Sequence, residues 1–176
     1  RMSLLAGFAG LVIFMALTGN KRVLGIGLAA SMCTIFAYEP LRARFLNMGT
    51  DRFELWSQAL DVIKTSPWLG VGDGRYLEVA RQLSLAPGEV IHSPHHSILY
   101  AGASYGIFVA LGLVALYGGL LWQTFSERQE QPALFAMVVA FILHDMTNNL
   151  FFIPEVALSF WVALAYLKSK SRLVHD

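Results

Sequence analysis

The sequence predicts an all-α integral membrane protein, with about five transmembrane helices and one large polar loop of short amphipathic helices. Three observations predict it. Hydrophobic residues fill 56% of the 176 positions and charged residues 14%, with a mean hydropathy of +0.54; an ordinary soluble domain carries about 25% charge. The charges are bunched: of 13 basic and 12 acidic residues, 13 lie between 39 and 90. The rest of the chain is long apolar stretches. This composition excludes a soluble globular domain and a disordered chain. A net charge of +1 gives no footprint for nucleic acid as a partner. Cys33 stands alone in an apolar stretch, so no intrachain disulfide and no cysteine-based metal site is expected. The chain begins at Arg1 with no initiator Met and no cleavage pattern, and reads as a segment of a longer membrane protein.

Residues 1–38 carry two expected spans. Met2–Asn20 is uncharged and about 28 Å long as a helix, enough to cross a bilayer. Lys21 and Arg22 separate it from Val23–Tyr38, which is short and needs its flanks to span. Residues 39–96 form the polar loop. Residues 97–168 hold three further spans. Ser97–Trp122 is the core of a stretch without Asp, Glu, Lys or Arg, and Gln123–Gln131 is a polar turn. Pro132–Phe152 is the fourth span, and Pro154 opens a fifth to Leu167. The tail, 169–176, is basic. Lys21, Arg22, Arg128, Lys168, Lys170 and Arg172 fall on one side in this arrangement, which puts the C-terminus in the cytoplasm and the 39–96 loop outside.

The loop reads as folded. Asp51 followed by Glu54 is a capping-box-like start. Phe53, Trp56, Ala59, Leu60 and Ile63 follow at helical spacing, and Ser66-Pro67 ends that helix. Gly70, Gly72 and Gly74 make a turn. Tyr76, Val79, Ala80 and Leu83 repeat the helical spacing until Pro87-Gly88.

Three groups of residues are candidates for chemistry. His92, His95 and His96 cluster where the loop enters the third span. Histidine exchanges a proton near neutral pH, and a helix entrance holds it in place. Their spacing lacks the paired histidines and Glu of a zinc hydrolase, so no metal site is expected. By spacing alone they also read as polar caps at a membrane interface. The second group is Arg42, Arg44, Arg52, Arg75 and Arg81, whose forks match phosphate oxygens. Solvated charges beside the acidic residues of the loop are the plainer alternative. Arg52 stands out in the first turn of the loop helix, and Trp56 is expected to pack that helix on the membrane or the spans. The third group is His144-Asp145 with Asn148 and Asn149, polar residues inside an expected span that should face a cavity or one another, or lie partly wet at its outer end. On one continuous helix His144 stacks over Asn148, and Asp145 over Asn149. Gly70-Val-Gly-Asp-Gly74 lacks the Lys-Ser/Thr of a phosphate loop and reads as a turn.

Arg52-Phe-Glu-Leu-Trp56, Ser66-Pro-Trp-Leu-Gly-Val-Gly-Asp-Gly74, Ser93-Pro-His-His-Ser-Ile-Leu99 and Tyr105-Gly106, in that order, resemble the C-terminal portion of the O-antigen ligase/polymerase family. There an R-x-x-x-W helix start, a P-x-x-G-x-G turn and an H-N-x-x-L helix start share a periplasmic loop. His144-Asp145 before Pro154 and Phe160-Trp161 resembles the later part of the pattern. The sequence departs from it at His96, where the family usually has Asn, and at Tyr105, where an acidic residue commonly precedes the glycine.

The resemblance implies a metal-independent, inverting glycosyltransferase without a cofactor, at the periplasmic face of the bacterial inner membrane. The donor would be an undecaprenyl-diphosphate-linked glycan and the acceptor lipid A–core. The other expected partners are membrane lipids, and nucleic acid is not among them. The family's essential histidine falls on His95, as base, and its loop arginine on Arg52. A second family arginine matches Arg1. His96 and Arg75 complete the expected substrate-binding residues. The alternatives are a polymerase of the same family, joining lipid-linked repeat units, or a transporter or flippase segment. The glycines of the third span fit a translocation path, but broken-helix repeats are missing. A non-catalytic membrane subunit is the remaining alternative.

Overall fold

The computed structural model describes residues 2–19, 22, 25–27, 29, 50–83 and 92–175, with the side chains of a few of these set aside. Among them there are seven α-helices, one 3-10 helix and no strand. The helices are α1 (Met2–Leu17), α2 (Thr50–Thr65), α3 (Tyr76–Leu83), α4 (Ser97–Tyr105), α5 (Ile107–Ser126), α6 (Pro132–Asp145) and α7 (Pro154–His175); the 3-10 turn is Leu150–Phe152. Most of the expected second span, Arg1, the Asp51 side chain and residues 84–91 lie outside the described residues. The chain divides into two compact units.

One unit comprises residues 50–119 and 145–157. Its core is the set of small and aromatic residues that the helical spacing brings together. Ala59 and Val62 of α2 and Tyr76 and Ala80 of α3 bury against Ala103 of α4. Ile63, Val71, Val79, Leu99 and Tyr100 pack around them. The helix α2 stops at Ser66-Pro67 as its sequence predicts, because the residue before proline is pushed out of helical backbone.

The expected continuous span Ser97–Trp122 is broken. Gly106 has φ 92 and ψ 171 and separates α4 from α5. The reason is the glycine turn of the loop, which fits into the break. Val71 N donates to Ala103 O at 2.8 Å and Gly72 N to Ser104 O at 2.9 Å, so the last carbonyls of α4 find donors. Pro67 O accepts from Ile107 N at 2.9 Å, which satisfies the first amide of α5. The approach is backbone to backbone. A Cβ on Gly70 would overlap the main chain at Ser104–Tyr105, and one on Gly106 would overlap Trp68 and Leu69.

The other unit comprises residues 1–49, 120–144 and 158–176. Helices α1 and α6 approach through small residues: a Cβ on Gly10 would lie 2.7 Å from the Ala140 methyl. Close contact over Gly and Ala is the packing expected of apolar helices that gain little from hydrophobic exclusion in lipid. Phe141 and Phe160 stack with ring centroids 3.9 Å apart. Two expected boundaries move. The fourth span ends at Asp145 and is followed by the 3-10 turn, so the i, i+4 pairing of His144 with Asn148 does not form. The last helix continues past Leu167 to His175, through Lys and Arg residues that are good helix formers.

Among the described helices, α5 is the one long and apolar enough to cross a membrane; Ala6–Leu17 and Pro132–Asp145 are apolar but shorter. Aromatic side chains stand exposed at both of its ends, Phe108 (67% exposed) and Trp122 (80% exposed). Trp68 stacks on Phe108, and Leu69 beside it is exposed as well.

Candidate active site

The site is built around a buried carboxyl group. Asp145 is fully buried, and its oxygens accept from Ser97 Oγ at 2.6 Å, Tyr117 Oη at 2.6 Å and Phe151 N at 2.9 Å. One side chain therefore ties the first residue of α4, the middle of α5 and the segment that leads to the 3-10 turn. A second tie comes from the loop. Arg52 Nη1 donates to the Thr147 carbonyl at 2.5 Å. A third joins Asn149 Nδ2 to Ser93 Oγ. Of the two expected packings for Trp56, on the membrane or on the spans, its contacts fit the second, at the entrance of α4. Its Nε1 donates to Pro94 O at 3.2 Å, and its ring meets His96 edge to face at 5.4 Å.

These ties fix the histidine segment. Pro94 is buried, and His95 follows it with φ 49. Left-handed backbone is uncommon for a residue with a Cβ, but histidine adopts it more readily than most. Directly afterwards His96 returns to extended backbone as the N-cap of α4, with no side-chain capping bond. The turn places His95 in the wall of a cavity of about 470 Å³. Polar residues of the wall are Ser93, His95, Asn148 and Asn149; aromatic ones are Tyr76, Tyr100 and Phe152. Tyr100 and Phe152 meet edge to face at 5.1 Å, and Phe152 stacks on Tyr105 at 5.8 Å. Among the described residues no Asp, Glu, Lys or Arg lines the cavity.

Burial pushes the His95 imidazole below its ordinary value, and the nearby Arg52 and His92 charges push it the same way. Its neutral, proton-accepting form is thus favoured at neutral pH. His96 is also lowered by burial, with Asp145 opposing. Burial lowers Arg52 as well, from a value so high that it stays charged. Tyr76, 1% exposed, is pushed up to about 12 by burial.

Of the residues expected from sequence, the structure brings His95 and Arg52 into one neighbourhood. His96 packs on Trp56 and is absent from the cavity wall. Arg75 is exposed and 3.5 Å from Glu78, although its neighbours Gly74 and Tyr76 both line the cavity. Arg1 lies outside the described residues. Sequence reasoning missed Ser97, Tyr117 and Thr147, the partners of Asp145 and Arg52, and missed Tyr100 and Phe152 as cavity walls. Tyr76 had a signal, its place in the helical spacing of α3, but not one that distinguishes core from cavity. No three His, Cys, Asp or Glu side chains converge among the described residues.

A second, apolar hollow of about 460 Å³ runs along α5, lined by Ala101, Tyr105, Val109, Gly112, Leu113, Leu116, Phe151 and Phe152. Phe152 lines both spaces.

Fold and site together define a class: an all-helical chain in which a polar loop sets a histidine and an arginine beside a membrane-length helix. The O-antigen ligase family matches over residues 1–114. The chain is 25% identical over 173 residues to an O-antigen ligase of Pseudomonas aeruginosa, an alignment that covers 93% of this chain and 41% of that protein. It therefore spans less than half the length of that relative. No solved structure matches it. The chain belongs to the O-antigen ligase family.

Proposed function

We propose that the protein transfers a glycan from an undecaprenyl-diphosphate-linked donor to lipid A–core at the periplasmic face of the bacterial inner membrane. One observation carries this reading. His95 lines a cavity with no charged side chain among the described residues, and its neutral form is favoured by burial and by Arg52, a half-buried arginine whose Nη1 donates to Thr147 O. The family supports the general chemistry. The acceptor hydroxyl donates its hydrogen bond to His95, and its oxygen attacks the anomeric carbon of the donor. The bond from that carbon to the diphosphate oxygen breaks, and the lipid diphosphate leaves with the electron pair. The hydroxyl proton passes to His95. A single displacement of this kind inverts the anomeric centre.

A diphosphate is already a good leaving group, so the site has to stabilise charge more than to donate a proton. Arg52 does so with the N–H groups that Thr147 leaves free, and without a metal or cofactor. Arg75, next to the cavity wall, is held by an exposed pair that costs little to break. Arg1 is the further arginine of this reading. His96, packed on Trp56, orients the turn that carries His95. The donor's polyprenyl chain runs along the apolar hollow of α5. Five spans with two in 1–38, three in 97–168, a periplasmic 39–96 loop and a cytoplasmic tail 169–176 complete the arrangement.

The test is transfer in native membranes supplied with the lipid-linked glycan and lipid A–core. Glycan on lipid A–core is the expected product. Lengthened lipid-linked glycan identifies a polymerase instead, and consumption of neither substrate overturns the reading.

A further inference from the structure

We propose that the cavity beside His95 is the subsite for an uncharged sugar ring of the acceptor, and that Asn148, Asn149 and Phe152 are the residues that select it. The inference rests on the transfer reading and extends it from a reaction to a place for one of the two substrates. Three features of the cavity point the same way.

The first is charge. Among the described residues no ionised side chain lines the wall, and burial and the nearby Arg52 favour the neutral form of its imidazole. Such a space suits hydroxyl groups and disfavours a diphosphate, whose charge would be desolvated without a counter-ion. The second is the pairing of surfaces. Phe152 and Tyr100 supply aromatic walls, and two adjacent asparagines supply amides. A sugar ring has a C–H face that packs on an aromatic ring and a rim of hydroxyls that amides can both donate to and accept from. One end of the Asn149 amide is held by Ser93; the other is covered and has no partner, as is the Tyr76 hydroxyl in the same wall. A small rotation of either side chain towards a ligand hydroxyl regains the missing bond, and buried polar groups are seldom left without one. The volume, about 470 Å³, is that of a small-molecule site.

The third feature separates acceptor from donor. The base must touch the hydroxyl that loses its proton, and that hydroxyl belongs to the acceptor. His95 lines this cavity, whereas Arg52, which meets the diphosphate, does not. The two substrates thus approach His95 from different sides, and the ring in the cavity is the acceptor's.

The experiment measures transfer kinetics in native membranes, varying lipid A–core of neutral terminal hexose at saturating donor and then the reverse. Asn148→Ala is the first variant, because the Asn148 side chain makes no hydrogen bond among the described residues. Asn149→Ala follows, with exposed Arg81→Ala as control. The expected result is an acceptor KM raised about 10-fold in each cavity variant, the size of one lost ligand hydrogen bond. The donor KM stays within about 2-fold, and an acceptor phosphorylated on its terminal ring is refused. A rise in donor KM alone, unchanged KM for both substrates, or equal use of the phosphorylated acceptor overturns the assignment while transfer itself stands. Absence of transfer by the unaltered protein overturns the transfer reading and the assignment with it.

Discussion

His95 occupies left-handed backbone at φ 49, and this decides how its role is tested. Left-handed backbone costs an L-residue about 1–2 kcal/mol, and alanine adopts it less readily than histidine does, so His95→Ala mixes strain with the loss of the imidazole. Asparagine tolerates the conformation and cannot act as base. His95→Asn is therefore expected to fold normally and to lose about 10²–10⁴-fold in turnover, read from product formation in membranes. The acid limb of the pH–rate profile should lie below the ordinary histidine range, since burial and Arg52 favour the neutral ring. Arg52→Gln removes one of the positive charges that oppose protonation, so the limb should move to higher pH. Asp145 gives a stability prediction. Asp145→Ala leaves two hydroxyls and an amide without their acceptor, at about 1–3 kcal/mol each, and should lower the thermal midpoint in detergent sharply. Asp145→Asn should be milder, because the Ser97 and Tyr117 hydroxyls can turn to accept from the amide. Pro94 and the adjoining span made His95 legible in the sequence. The partners of Asp145 were not, because they lie 48, 28 and 6 residues away and no local pattern links them.

The loop helices α2 and α3 were legible as elements, since their apolar spacing is the face they bury. The break at Gly106 was not. Periodicity reports which face is apolar, and the residues on both sides of the break are apolar alike. What breaks the helix is a turn some thirty positions earlier in the chain, seated in it through main-chain hydrogen bonds. Gly106→Ala would meet the Trp68 carbonyl at an overlapping distance and an unfavourable φ, and is expected to cost about 3 kcal/mol or more, measured by thermal unfolding in detergent. Gly112 is the opposite case. Nothing lies within 4 Å of a Cβ placed there, yet the residue lines the apolar hollow. Gly112→Leu should leave unfolding unchanged and raise the KM for the lipid-linked donor about 10-fold, because its side chain takes the space of the polyprenyl chain. An unchanged donor KM would mean that the chain lies elsewhere.

At the scale of the molecule, charge placement and apolar runs gave the all-helical class, which the described residues bear out. They were less informative about helix ends, because basic residues that read as a tail also continue a helix, as in α7. The arrangement of spans is open to direct measurement. In a Cys33→Ser background, a membrane-impermeant thiol reagent added from the periplasmic side should label Arg75→Cys and leave Arg128→Cys unlabelled. The reverse pattern would invert the orientation and remove the site from the periplasm.

The seating of the glycine turn in the helix break has a consequence for variation. The joint between loop and helix is made of main-chain atoms, so its shape is indifferent to most side chains around it. Loop residues that face outward, such as Leu60 and Arg81, can change without disturbing where His95 sits. The loop surface can therefore vary while the placement of His95 is kept, with Gly70 and Gly106 as positions where the close main-chain approach leaves no room for a side chain.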